Sequence, residues 1–296
     1  MFNTIEIYLE ALKNEMNDAD PALVQDAQAD AREHLSTALI IARESNPEIS
    51  ESDALKKIIG EYGAPEETAS AYHEIERRTS PALKQPVKPR SLLGWFFGVY
   101  LDPRTWGSLL FMFITFVTGI IYFTWAVTGT ALSLSFMILI IGIPFSILFL
   151  LSVQGLALLE GRLAEALLGV RMPRRPLFAQ PGLKWIERLK TLVTDKHTWI
   201  SLLYLVLQLP LGVIYFSVNV TLIAFALGIM AAPFIQIFWH LPLITTFNDR
   251  FFLPYWVLIL LEIGGFLTLT LTLHLARAVG WLHGRYAKWM LVSEQK

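Results

Sequence analysis

A carboxylate inside a long apolar run is the first residue whose type and position suggest chemistry. Glu262 stands about eight residues, or about 12 Å of helix rise, inside the stretch Pro254–Leu275. An ionisable group at that depth is costly and faces a bundle interior or a wet cavity. Gln208, Asn219 and Gln236 are its polar neighbours by depth if Leu222–Phe238 folds back on itself. Two readings follow. The four residues line a small, externally open ligand or coupling site, or Glu262 is a protonated or hydrogen-bonded glue between helices.

Little else in the chain has catalytic spacing. There is no cysteine, which excludes disulfides, thiolate catalysis and cysteine-ligated metals. No Gly-rich phosphate loop, His-Glu-x-x-His or serine elbow is present. His34 and His73 lack a second ligand at metal spacing and read as surface histidines on helices, and His274 reads as structural or snorkelling. Gly264-Gly265 permits close helix approach, and Asp249-Arg250 reads as a local pair or as a contact for an external ligand. The expectation is a protein without catalytic residues, metal or cofactor, and not an enzyme.

The elements that position these residues fall into two parts of opposite charge. Residues 1–80 hold 17 acidic and 7 basic side chains, and the remainder holds 8 acidic and 17 basic. Over residues 1–78 the apolar spacing is helical throughout. Phe2, Ile5, Leu9, Leu12 and Met16 form one stripe, and Leu23, Ala27, Ala31, Leu35 and Ala38 form a second behind Asp20-Pro21. Ser50 caps a third helix that ends at Gly63, and Pro65-Glu66-Glu67 opens a fourth that finishes at Arg77-Arg78. No basic n-region leads into an apolar run before residue 90, so this acidic domain is expected in the cytoplasm. The acidic surface is a solvated face, or it meets a basic partner.

The run from Asp53-Ala54-Leu55 through Gly60-Glu61-Tyr62-Gly63-Ala64-Pro65-Glu66-Glu67-Thr68-Ala69 to Tyr72 resembles the C-terminal half of the HAAS-type helical signalling domain. In that family a Gly-x-Pro-Glu-Glu-x-Ala-x-x-Tyr pattern recurs, and Glu33-His34-Leu35 fits the preceding helix pair. The resemblance covers about residues 1–76 and implies a cytoplasmic protein partner of the PadR-like transcriptional regulator type.

Residues 79–90 form a proline-rich basic linker with Pro81, Pro86, Pro89, Lys84, Lys88 and Arg90. Ser91–Leu101 reads as an interfacial helix. A duplication follows. Asp102-Pro-Arg-Thr-Trp106 matches Asp195-Lys-His-Thr-Trp199 at an offset of 93, as Gly119-Ile-Ile-Tyr-Phe123 matches Gly212-Val-Ile-Tyr-Phe216. Gly161-Arg-Leu-Ala164 matches Gly284-Arg-Tyr-Ala287 at offset 123, so the second copy carries about thirty extra residues. Lys184–Val193 repeats the interfacial helix. Asp102 and Asp195 are read as helix caps, with Trp106 and Trp199 as headgroup-level anchors. Arg171, Arg174 and Arg175 are expected to contact anionic lipid.

Spanning the hydrocarbon core takes roughly 20 apolar residues. Residues 106–127, 132–153, 199–220 and 254–275 qualify, within a membrane domain over 91–291. The eight Lys or Arg of Gly161–His197 place that loop in the cytoplasm, and the basic C-terminal cluster asks for the same side. Four spans satisfy both, with both termini cytoplasmic at the plasma (inner) membrane. On this reading each repeat starts on the cytoplasmic side, and Leu222–Phe238 is a helix continuation or a re-entrant piece of an external cap over 222–253. The expected fold is all-α: a small N-terminal bundle plus a polytopic domain of two two-span repeats. Residues 90–291 resemble the bacterial sensor domain often found ahead of histidine kinases, with Arg162-Leu-Ala-Glu165 to Leu168-Gly169 closing the first half. The resemblance implies a membrane sensor or signal-coupling protein. A transporter or lipid-handling protein and a scaffold subunit are the alternatives. The expected partners are the cytoplasmic protein and anionic lipid, without direct nucleic acid, and homo-oligomerisation stays open.

Overall fold

The computed structural model of the chain describes residues 2–79, 83, 91–136, 138, 142–174, 190, 192–245 and 250–292. The linker lies outside these residues apart from Thr79 and Leu83, as does most of Lys184–Val193. The chain forms two compact units. One is Met1–Lys84, Ile121–Leu207 and Gly284–Lys296, and the other is Gln85–Ile120 and Gln208–His283.

The first unit begins with four helices whose ends follow local chemistry. Thr4 caps α1 (Ile5–Glu15) by accepting from Ile7 N, and Asp20 caps α2 (Pro21–Ser45) from Ala22 N at 3.0 Å. Ser50 caps α3 (Glu51–Tyr62), where its hydroxyl and Lys56 together hold Asp53 below the usual carboxylate range. Gly63 ends that helix at φ +114, and α4 (Pro65–Thr79) starts two residues later. The apolar stripes meet in a core of Tyr8, Leu12, Met16, Leu35 and Leu55, all without exposed surface. Tyr8 carries a hydroxyl into it and donates to Gly63 O at 2.9 Å, which ties α1 to the α3–α4 turn.

In the same unit the second half of α6 (Pro103–Phe136) packs antiparallel to α7 (Gly142–Leu168). The Phe149 ring lies over Gly129, and Trp125 Nε1 donates to Ser152 Oγ at 2.8 Å. The start of α8 (Lys196–Trp239) joins them through Gln154 Nε2 donating to Thr198 Oγ1 at 2.8 Å. The end of α9 (Tyr255–Leu291) joins α8 through stacked Tyr204 and Tyr286 rings.

In the second unit α5 (Leu92–Phe97) and a 3₁₀ turn (Gly98–Tyr100) lie along α9. Tyr100 and Thr270 hydroxyls meet at 2.8 Å, and Arg277 pairs with Asp102 at 3.2 Å. The first half of α6 crosses α8 antiparallel: Gly119 faces the backbone at Gln208, Gly212 faces it at Thr115, and Asn219 reaches Met112. Residues of the two repeat-equivalent helices therefore pair in reverse order at this crossing.

Leu222–Trp239 does not turn back; it continues α8 as one 44-residue helix with Pro210 and Pro233 inside. At 1.5 Å per residue this rod is roughly 66 Å long, about twice the hydrocarbon thickness. Beyond it a short hairpin pairs Ile244 with Phe251 and Thr245 with Arg250, a small addition to an otherwise all-α fold. Helices α6, α7, α8 and α9 are each long and apolar enough to cross a membrane.

The crossing gives a sharp test. A Cβ at Gly119 would sit 2.7 Å from Gln208 O, and one at Gly212 would sit 2.6 Å from Thr115 O, whereas Gly228 has open space. Gly119→Ala and Gly212→Ala are each expected to cost about 1–3 kcal/mol from backbone displacement. Gly228→Ala is expected to be neutral or slightly stabilising. Thermal unfolding of the three variants in one detergent checks this.

Candidate functional site

At the C-terminus of α7 the helix stops because Gly169 turns to φ +69, its N–H still bonded to Glu165 O. The next residues, Val170 to Arg174, lie outside helices and strands, and Pro173 removes one N–H. This segment passes Gly284 of α9, where a side chain would collide with Val170. It carries Arg171 inward until only 3% of that side chain is exposed.

The guanidinium of Arg171 meets carboxylates from three helices. Nη2 donates to Asp26 Oδ2 of α2 at 2.9 Å, and Nε donates to Glu76 Oε2 of α4 at 3.1 Å. Nη1 reaches Glu165 Oε1 of α7 at 3.4 Å and the carbonyl of Met172 at 2.7 Å. Three residues on, Arg174 N donates to Asp26 Oδ1 at 2.6 Å and its Nη2 to Glu165 at 2.8 Å. The bond to Glu165 pushes the Arg174 guanidinium above its ordinary value, against the opposing effect of burial. Arg162 adds a bond to Glu165 at 2.7 Å. Lys288 of α9 pairs with Asp20, the residue that caps α2. Ionic contacts from the segment after α7 and from α9 therefore converge on the first part of α2.

Such a cluster is energetically asymmetric. Assembled, it offsets the desolvation of its members; with the central cation removed, largely buried carboxylates lose the charge that they share. Arg171 and Arg174 were expected at anionic headgroups, and that expectation fails for Arg171 because its donors are spent on buried carboxylates. Arg175 lies outside the described residues.

The proposed intramembrane site is not assembled. Gln208 is fully buried, Asn219 donates to Tyr215 O at 2.8 Å, and Gln236 clasps Leu253 N and O at 2.9 and 2.8 Å. Eleven and seventeen residues separate the three along α8, or roughly 16 and 25 Å of rise. Glu262 stands one turn before Gly265, which packs on Ala226 and Met230, so it lies far along the helix from Gln208. Its Oε2 is buried without a hydrogen-bond partner among the described residues. The interfacial motifs behave alike in both repeats. Asp102 accepts from Arg104 N and Asp195 from His197 N, each at 3.0 Å, while the indoles of Trp106 and Trp199 donate to Tyr100 O and Val193 O, each at 2.8 Å.

Two further buried groups escaped the sequence reading. Glu160 faces the Tyr122 hydroxyl, and His283 Nδ1 lies 3.1 Å from the Tyr215 hydroxyl; both titratable residues are 1% exposed. The tyrosines are equivalent at offset 93 and their partners at offset 123. The repeat offsets themselves would have located this pair of sites.

The family model described as Putative sensor matches residues 112–291, more than half of the chain, from the α6–α8 crossing to the end of α9. The chain belongs to the Putative sensor family. No curated protein and no solved structure matches it. The sensor match includes Glu165, Arg171 and Arg174, while Asp26 and Glu76 come from the helical domain ahead of it. With its four long apolar helices, this sensor-family chain is a multi-pass membrane protein.

Removing the central cation should be far more damaging than breaking a surface pair. Arg171→Ala is expected to cost about 3–5 kcal/mol. Arg32→Ala, which breaks an exposed pair with Glu6, should cost about 0–1 kcal/mol. Thermal unfolding of both full-length variants, read beside limited proteolysis of residues 1–79, checks the difference.

Proposed function

We propose that this protein is a membrane sensor that passes an envelope or intramembrane event to a cytoplasmic protein through its N-terminal helical domain. The observation that carries the reading is the buried contact of Arg171 with Asp26 and Glu76. It ties the segment after α7 to α2 and α4, so a shift of α7 changes how those helices are held. The Asp20–Lys288 pair brings the helical domain to the end of α9, which supports both termini lying on one side. The basic residues between α7 and α8 support a cytoplasmic position for that side, at the plasma membrane. The partner is a soluble protein of the PadR-like regulator type, as the HAAS resemblance of residues 1–76 implies. The chain itself performs no catalysis and uses no cofactor. The stimulus acts by binding or stabilising one state of the bundle over the other.

A second reading has its own observation. Repeat-equivalent helices packed head to tail are the arrangement on which inverted-repeat transporters are built, which favours a transport or lipid-handling role.

Full-length chain in nanodiscs, used as bait for cytosolic extract, separates the two. The expected result is retention of a soluble DNA-binding regulator, with at least a fivefold change in its yield for Arg171→Met. If no soluble protein is retained by either form, signalling through this domain is abandoned, and solute or lipid flux in liposomes becomes the decisive assay.

A further inference from the structure

We infer that the notch between α2 and α4 is a binding site for an extended, arginine-bearing peptide segment, and that Arg171–Arg174 is its resident occupant. The cytoplasmic partner engages the domain by supplying a segment of the same chemistry in exchange. This rests on the signalling reading above and adds where the partner binds and what it must present.

The recognition is that of a peptide rather than a diffuse charged surface. Asp26 uses one oxygen for the Arg171 side chain and the other for the Arg174 backbone N–H, thereby reading both a guanidinium and the course of the chain three residues later. Glu76 accepts from the remaining edge of the same guanidinium at 3.1 Å. Pro173 restricts the intervening backbone, which lowers the entropy lost when the segment is bound. A planar fork shared between carboxylates on two helices is matched by arginine and poorly by lysine.

Burial favours exchange over simple release. The Asp26 side chain is 7% exposed and that of Glu76 14%, so departure of the segment takes a close cation from carboxylates that stay largely buried. Losing that cation is costly, whereas replacing one arginine by another is close to neutral. Release of residues 170–174 is therefore coupled to capture of an incoming arginine. The net charge of −10 over residues 1–80 draws basic segments toward the domain and repels nucleic acid and anionic lipid.

The test uses the full chain in nanodiscs. It has no cysteine, so spin labels at Lys57→Cys and Ala166→Cys, both exposed positions, report the distance from the helical domain to α7. The probe is the free peptide Leu-Gly-Val-Arg-Met-Pro-Arg-Arg, the sequence of residues 168–175. The expected result is a longer distance population that grows with peptide, and none with the peptide in which the first arginine is methionine. Arg171→Met, with the notch vacated, should bind the peptide at least tenfold more tightly than the parent chain. Adding Asp26→Asn should remove that gain. The parent-chain titration stands even if Arg171→Met fails to fold. If the peptide leaves the distances unchanged and Arg171→Met binds it no better, the inference is overturned. If Arg171→Met lengthens the distance yet captures no peptide, the segment is a latch only; the inference falls and the signalling reading survives. The same holds if the regulator retained by the parent chain binds equally well to Asp26→Asn.

Discussion

Arg171 is a guanidinium side chain withdrawn almost wholly from solvent, and the arrangement around it follows from that cost. Its charge requires carboxylates, which come from α2, α4 and α7, helices far apart in sequence. Its position requires an extended segment, so α7 must stop, and Gly169 stops it with a left-handed turn. The segment must then lie flat against α9, which Gly284 allows. A small acidic bundle and the C-terminal end of α7 are thus held by one guanidinium. Apolar contact alone would not specify that registration.

The parts legible in the sequence were those governed by neighbours along the chain. Thr4, Asp20 and Ser50 cap helices because a short polar side chain reaches the next turn. The duplicated Asp-x-x-Thr-Trp motif makes the same local bonds twice, with the indole of Trp106 or Trp199 returning to a carbonyl six residues earlier. The length and apolarity of α6 to α9 were equally plain. What was not legible depends on partners distant in sequence. An arginine after a membrane helix has the same spelling whether it meets a lipid phosphate or, as Arg171 does, a carboxylate 145 residues away. Gln236 looked like a pocket group by depth, yet its amide is consumed in closing the turn onto Leu253. Sequence depth gives a level along a helix and leaves the facing direction open.

Several polar groups of the long apolar helices meet in pairs. Gln154 with Thr198, Trp125 with Ser152 and Tyr100 with Thr270 each place a donor against an acceptor between helices, contacts of the kind that hold bundles where water is absent. Glu160 and His283 differ from these because each can change charge. They occupy equivalent positions against equivalent tyrosines. In the second copy the histidine also lies against the Phe111 ring, with 4.8 Å between ring centroids.

The reciprocity of the α6–α8 crossing has an evolutionary reading. Gly119 meets Gln208 while Gly212 meets Thr115, so each helix offers the other the same patch. That is the contact of an isologous dimer. A two-helix ancestor encoding one copy would have met its twin through a single glycine serving both sides. Joining the copies freed the halves from identity: one tyrosine acquired a glutamate for company and its counterpart a histidine. The modern chain is in this sense a dimer whose subunits were allowed to diverge.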